Sequence, residues 1–350
     1  MDTKEKRVVI VTGSCGRIGT NVVRKLGEKY HLVGFELLRA IYASAQEELV
    51  PVDLSSDESV SQAFMHIKNF YGTRIASVIH LAAYYSFSEQ HSPKYDEITV
   101  KGTQRLLKAL QGFEVEQFLF SSTMLVHAPT CPGCPITEDS PVAPSWDYPL
   151  SKVHTEALIH ELRGNTPSVI LRVAGVYDDK CHSIPISHQI QRIYEKRLES
   201  RLFSGDICHG ASFVHMDDLV DAIALAVDKR STLPPETTLL IGEPTTMSYD
   251  ALQRCISRLL FDKEFSTLSI PKPLAKLGAF LQCHIPFKDK PFIRPWMIAL
   301  ADDHYELDIT KAKKLLGWAP KRSIELTLPK MIDELKRDPA AWYKANQLRR

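Results

Sequence analysis

Short runs of consecutive apolar residues alternate, along the first half of this chain, with longer stretches in which apolar positions recur every three or four residues. The runs RVVIVT (7–12), HLVGFE (31–36), the segment 48–52, IASVIH (75–80), QFLFS (117–121) and the segment 167–173 are short and apolar almost throughout, the pattern of strands covered on both faces. Between them, residues 18–29, 58–70, 93–111 and 148–163 carry helical spacing. Such alternation predicts an α/β fold of Rossmann type, a doubly wound parallel sheet, over residues 1–175. Past residue 176 the regularity breaks down, and prolines at 234–235, 271–273 and 286–295 punctuate helices near 216–229, 248–261 and 309–316. Segments 176–204 and 233–350 are expected to form a smaller C-terminal substrate lobe, with 205–232 returning to the first unit.

Composition narrows the partners. The net charge of +1 draws neither nucleic acid nor an anionic membrane, and no stretch reaches the ~18 consecutive apolar residues of a membrane helix. The first apolar run is cut by Gly13 too early for a signal peptide, so the expected compartment is the cytosol and the expected partner a small-molecule substrate. Seven cysteines, an odd number, predict free thiols. Cys131 and Cys134 form a C-x-x-C in TCPGCP with no second ligand pair nearby; a loop that holds two thiols is the preferred reading, with zinc or redox chemistry as the alternative, and no metal site is expected.

The chemistry-bearing residues fall at predicted strand ends. Gly13, Gly16 and Gly19 give G-x-x-G-x-x-G between the first strand and first helix, where small residues let a pyrophosphate approach the helix N-terminus. Glu36 ends the second strand, placed to accept the ribose hydroxyls of NAD and to repel a 2′-phosphate; Arg17 and Arg39 are the cations that would tolerate one, and NAD is preferred over NADP. Asp53 either receives the adenine amino group or caps the helix after Ser55. His80-Leu81-Ala82-Ala83 ends the fourth strand with small residues over which a cofactor can lie. Tyr148 and Lys152 stand at i and i+4 on one helix face, and an ammonium beside a phenol is expected to lower its pKa enough for proton transfer near neutrality. Ser121, Ser122 and Thr123 leave the fifth strand with hydroxyls, one of which is expected to orient the reacting oxygen.

With TGSCGRIG, VDL, HLAA, SST followed by VH, YPLSK, LRVAGVY, FVHMDDL and, more loosely, DITKAKKLLGWAP, the chain resembles the extended short-chain dehydrogenase/reductases, in particular the NAD-dependent epimerase/dehydratase group. The likeness covers residues 7–230 clearly. It implies that Tyr148 and Lys152 are the catalytic pair and Thr123 their hydroxyl partner. It places Gly13, Cys15, Gly16, Arg17, Ile18 and Gly19 around the cofactor's phosphates. Glu36, Asp53 and Leu54 would meet its adenosine half, and Leu81, Ala82, Ala83 and Val176 would meet the remainder together with Tyr148 and Lys152. Tyr85, Ser86, Thr123, His182 and Arg294 are the implied substrate contacts. The implied reaction is proton and hydride transfer at a carbinol, with a homodimer formed through helices 93–111 and 148–163. Departures from the family pattern matter too. Met124 and Leu125 follow Thr123 where 4,6-dehydratases carry an acidic pair, Ala211-Ser212 stands where epimerases carry a diphosphate-binding arginine, and Thr99 replaces an asparagine. Arg294 or His209 is the available substitute cation, and His182, beside Cys181, lies where some members keep a second acid/base. The rival readings are a non-catalytic dinucleotide sensor and a hydroxysteroid-type dehydrogenase; the run 269–282 is apolar at helical spacing, with ordinary lobe packing the preferred reading and lining for an apolar substrate the alternative.

Overall fold

Residue-by-residue alternation in the first strand sets the two layers of the fold. In β1 (Val8–Thr12), Val8 and Ile10 point into one apolar cluster while Val9 and Val11 point into another, because successive side chains leave a strand on opposite faces. The computed structural model describes residues 6–37, 47–86, 91–284 and 294–349. Its main sheet has seven strands, all parallel: β1, β2 (His31–Glu36), β3 (Glu48–Pro51), β4 (Ser77–His80), β5 (Phe118–Thr123), β6 (Ser168–Val173) and β7 (Glu236–Ile241), in the order β7-β6-β5-β4-β1-β2-β3. The order reverses between β1 and β4, which opens a crevice at the carboxyl ends where doubly wound sheets take their ligands.

Helices cover both faces. On the Ile10 side, α2 (Asp57–Tyr71) and α3 (Lys101–Leu110) contribute Phe64, Ile67, Leu106 and Leu110. On the other, α1 (Arg17–Leu26) supplies Val22, Val23 and Leu26. A helix beyond α4 (Asp147–Leu162) and α5 (Ile184–Tyr194), namely α6 (Met216–Asp228), lies against α1 and is tied to it by Lys25–Asp221 and Lys29–Asp228 ion pairs. A third cluster, around Tyr177, Ile190, Ile256, Leu328 and Trp342, joins α5 to α7 (Tyr249–Phe261), α11 (Ile324–Arg337) and α12 (Pro339–Ala345); the intervening helices are α8 (Lys272–His284), α9 (Pro295–Ala299) and α10 (Thr310–Leu316).

The six expected strands of the first 175 residues are all present. The return to the sheet differs from the expectation: within 205–232 only the helix α6 covers it, while the strand that joins it, β7, lies in the span assigned to the smaller lobe. Leu239, Leu240 and Ile241 are fully buried there, so the run TTLLI gains more from extending the core beside β6 than from packing among loops. Among the described residues no helix is long and apolar enough to cross a membrane, and no group of three or more His, Cys, Asp or Glu is placed to hold a metal.

Candidate active site

The glycine loop is built by close approach. Gly13 has φ +71°, a left-handed conformation that costs glycine nothing, and a Cβ on Gly19 would sit 2.2 Å from the Gly13 carbonyl oxygen. The loop thereby turns directly into α1, whose N-cap Gly16 offers no side-chain cap and whose first turn holds no acidic residue. Its first amides are therefore available to an anion at the positive end of the helix dipole. That donor set fits a dinucleotide pyrophosphate.

At the other side of the crevice, Tyr148 and Lys152 leave the first turns of α4 beside the end of β5. The three hydroxyl residues there divide the work. Ser121 gives its backbone carbonyl to the Lys152 ammonium at 2.7 Å, Ser122 donates to Glu156, and the Thr123 hydroxyl lies near enough to the Tyr148 phenol to lower its pKa. Lys152 is buried, its Nζ 4.6 Å from the centroid of the Phe120 ring and 5.9 Å from that of Tyr148. Aromatic rings enclose the phenol: Tyr85 at 4.8 Å, Trp146 at 5.4 Å and Tyr95 at 6.3 Å between centroids, with Trp296 tilted against Trp146, 5.3 Å away.

This enclosure corrects the expected electrostatics. Burial pushes the Tyr148 phenol up to about 12, against the lowering effect of the Thr123 hydrogen bond, and pushes the Lys152 ammonium down to about 7, against the pull of Glu156. Desolvation outweighs the charge of the neighbouring lysine. The pair thus holds a single proton between those two values, rather than a phenolate standing free at neutrality.

The floor between the two halves is a directional hydrogen-bond chain. The Ala82 amide donates to Thr12 Oγ1 (3.1 Å), Thr12 meets His80 Nδ1 (2.7 Å), His80 Nε2 meets Thr103 Oγ1 (2.8 Å), and Thr103 donates to the Thr99 carbonyl (2.6 Å). Since Thr103 spends its only proton on Thr99, it must accept from His80 Nε2–H, and Thr12 then donates to the bare Nδ1. Burial holds His80 neutral, its pKa pushed down to about 3. Thr99, in the place of an asparagine, also accepts the Tyr84 amide at 3.0 Å, so it keeps the strand end tied to the helix. That helix begins with a wide turn over Tyr95–Val100, in which Lys101 N bonds five residues back to Asp96 O.

A family model described as the NAD dependent epimerase/dehydratase family matches residues 9–242. The chain belongs to that family.

A UDP-glucose 4-epimerase of Vibrio cholerae is 24% identical over 332 residues, covering 93% of this chain and 94% of the relative. A 3 beta-hydroxysteroid dehydrogenase type 7 of Mus musculus is 27% identical over 350 residues, covering 91% and 92%. Among solved structures, the UDP-glucuronic acid 4-epimerase of Bacillus cereus, in complex with UDP-glucuronic acid and NAD, superposes with a TM-score of 0.70 at 20% identity, covering 94% of this chain and 99% of that one.

An NAD dependent epimerase/dehydratase works with a dinucleotide, and the strand ends arrange for one. Glu36 accepts the Cys15 amide (3.2 Å) and the Leu37 amide (3.0 Å), which pins its carboxylate at the rim of the loop. Arg17 is turned away from it: Nη1 donates to the His182 carbonyl at 2.8 Å. Arg39 lies outside the described residues. Ile18 packs against the core from the first turn of α1, while Leu81 and Ala82 line the approach to Gly13 and Ala83 follows them, half-buried. Leu54 is buried under α3, against Gly102. Asp53 Oδ1 accepts the Ser55 amide (2.9 Å) and hydroxyl (2.6 Å), closing its own turn, and the cap of α2 itself is Ser56. Val176 sits in a short strand, Gly175–Tyr177, paired with Phe213–His215 apart from the main sheet.

The other residues expected at the substrate divide in two. Tyr85 faces Tyr148, and the Ser86 amide donates to the Tyr95 hydroxyl, which in turn donates to the Ser86 carbonyl. Arg294 stands two residues before Trp296, at the N-cap of α9, and so borders the aromatic wall. His182 is placed differently. Its ring pairs with Asp178 at 2.6 Å, its amide donates to Asn346 at 2.8 Å, and its carbonyl takes Arg17, so it latches a turn in which Cys181 and His182 both have positive φ. His209 donates its ring to the Asp302 carbonyl at 2.6 Å.

Two features went unread in the sequence. One is the aromatic wall, whose only local signal is Trp146 two residues before Tyr148. The other is a buried brace behind β5: Arg172 pairs with Glu156 at 2.7 Å and donates to His127 Nε2 (3.0 Å) and the Glu138 carbonyl (3.0 Å), while Glu156 takes the Ser122 hydroxyl.

Proposed function

We propose that this protein moves a proton and a pair of electrons between a secondary alcohol and NAD, with Tyr148 exchanging the hydroxyl proton, Thr123 orienting that oxygen and Lys152, buried beside the phenol, holding the second proton of the pair. The observation that carries the reading is the burial of Lys152 beside the Tyr148 ring, 5.9 Å from its centroid, at the carboxyl end of β5, where Thr123 stands close enough to the phenol to lower its pKa. Bound along the glycine loop and Glu36, NAD supplies the electron acceptor. A ketone that is reduced again on its other face gives epimerisation, and one that departs gives dehydrogenation. Elimination of the 4,6-dehydratase kind is not proposed, because Met124, buried, and Leu125 follow Thr123 without a carboxyl group. A homodimer through α3 and α4 belongs to the same reading: on α4, Ala157 is exposed and Val153, Leu158 and Leu162 are half-buried, Leu162 packing against the subunit's own core.

A second reading, a hydroxysteroid-type substrate, is favoured by one observation. Aromatic rings rather than charged groups surround the Tyr148 phenol.

The test is a panel of sugar nucleotides, sugar acids and hydroxysteroids incubated with NAD and followed by NADH absorbance. Oxidation requires that the Tyr–Lys pair have a place for the substrate's proton. Below pH 7 the pair carries two protons and has none; above it, one site is open. The oxidative kcat/KM is therefore expected to rise as pH climbs through about 7 and then level off. A profile that falls over that range would count against the proton assignment. Silence across the panel by a protein that binds NAD would instead support the sensor reading.

NAD is expected to raise the melting temperature more than NADP at equal concentration, since a ligand bound to the native state stabilises by RT ln(1 + [L]/Kd). Glu36 repels a 2′-phosphate, and Arg17 is engaged at His182. A larger shift with NADP would overturn the preference.

A further inference from the structure

The C-x-x-C pair lies outside the site just described. Cys131, Pro132, Gly133 and Cys134 form a tight turn: the Cys134 amide donates to the Cys131 carbonyl at 2.9 Å, and Gly133 takes φ +81° in the third position behind a proline, the arrangement of a type II turn. The turn is fixed from outside as well. Gly133 N donates to Glu306 Oε2 (2.9 Å), Thr130 N to the His304 carbonyl (2.9 Å) and Ile136 N to the Glu306 carbonyl (2.7 Å). These bonds hold both ends of the turn against the segment 304–307. Within this frame the two Sγ atoms are 2.8 Å apart, and both cysteines are exposed. The remaining described cysteines are dispersed: Cys15 and Cys255 are half-buried, Cys181 is buried, and Cys208 is exposed without a sulfur neighbour among the described residues.

We propose that Cys131 and Cys134 form a thiol–disulfide exchange site that reacts with small disulfides of the glutathione class. Preformation is the reason. Closing a disulfide between loose segments must order the chain, whereas this turn is already ordered by its own hydrogen bond and by Glu306. The neighbouring Cys131 thiol pushes the Cys134 thiol above its ordinary range, and with the sulfurs 2.8 Å apart attack by Cys131 leaves Cys134 in place to resolve the adduct. Cys131 gives up its proton and its sulfur attacks one sulfur of RSSR; the S–S bond breaks and the leaving thiolate picks up a proton as RSH. Cys134 then deprotonates and attacks Cys131 Sγ, displacing the second RSH. The protein is oxidised by two electrons, and the small disulfide is reduced to two thiols. Zinc is a poorer occupant, because no third ligand stands with the pair among the described residues.

The test equilibrates the full chain in a series of reduced and oxidised glutathione mixtures running from almost wholly reduced to mostly oxidised, then traps free thiols by alkylation and maps them by mass spectrometry. Expected is joint protection of Cys131 and Cys134 toward the oxidising end, as an intramolecular link lighter by two hydrogens, with dithiothreitol restoring both thiols. In Cys134→Ser, Cys131 should instead accumulate as a glutathione adduct, because the resolving sulfur is gone. The proposal is overturned if both cysteines alkylate fully across the series, or if the unaltered chain collects glutathione adducts at either cysteine with no link between them. The readout is thiol state alone, so it stands apart from any result on turnover.

Discussion

Tyr148→Phe is expected to lower turnover by roughly 10²–10⁴-fold, the usual contribution of a positioned general acid or base, while leaving NAD affinity within about twofold. The substitution removes one oxygen and keeps the ring, so the contacts with Tyr85, Trp146 and Tyr95 persist. Lys152 also keeps its partner, since its ammonium bonds to the Ser121 carbonyl rather than to the phenol. Stopped-flow turnover on a substrate found in the panel, beside a fluorescence titration with NAD, separates the two effects. Near-normal turnover would remove Tyr148 from the mechanism. Lys152→Met should also slow turnover, and the double variant should lose far less than the product of the two single losses, because both residues serve one proton transfer.

Arg172→Leu is expected to cost roughly 3–5 kcal/mol of folding stability, measured by urea denaturation. Its side chain and that of Glu156 are only 10% and 14% exposed, so removing the guanidinium strands a buried carboxylate and leaves His127 Nε2 and the Glu138 carbonyl without their donor. Adding Glu156→Leu should recover a good part of the loss, since an apolar pair no longer has a charge to solvate. A single variant as stable as the parent would show that water reaches the pair. The brace also bears on chemistry: Ser122, held by Glu156, stands between Ser121 and Thr123, so a loosened brace is expected to slow turnover beyond the loss of folded protein.

The parts legible in the sequence are those encoded locally. Residues 7–12 declare a buried parallel strand by themselves, and the glycine triplet and the Tyr148–Lys152 spacing each lie within a few positions. β7 was hidden by Pro234 and Pro235 just before it, which read as the punctuation of a loop; only its pairing with β6, some 68 residues earlier by the Glu236–Ser168 register, makes it a core strand. The direction of the Tyr148 shift was illegible for a related reason. It depends on Tyr85, Tyr95 and Trp146, drawn from separate segments, and spacing along one helix says nothing of how many rings will close over a phenol. His182 was placed at the substrate from its position after LRVAGVY, with a second acid/base only as the lesser alternative to a structural histidine, and its role as a latch depends on Asn346, at the far end of the chain.

The chain of bonds from Ala82 through Thr12, His80 and Thr103 to Thr99 has a thermodynamic side. A threonine hydroxyl normally spins among three wells, and an imidazole can swap its proton between two nitrogens; here each choice excludes all but one at the next link. The floor of the crevice therefore has almost no rotor or tautomer freedom left to surrender when a ligand settles on it. Whatever binds there pays its own ordering entropy and little of the protein's, which favours affinity without any added contact. The same wiring makes the position intolerant of mimicry: an asparagine at 80 has the right two functions at the wrong separation, and would return that lost freedom to the floor.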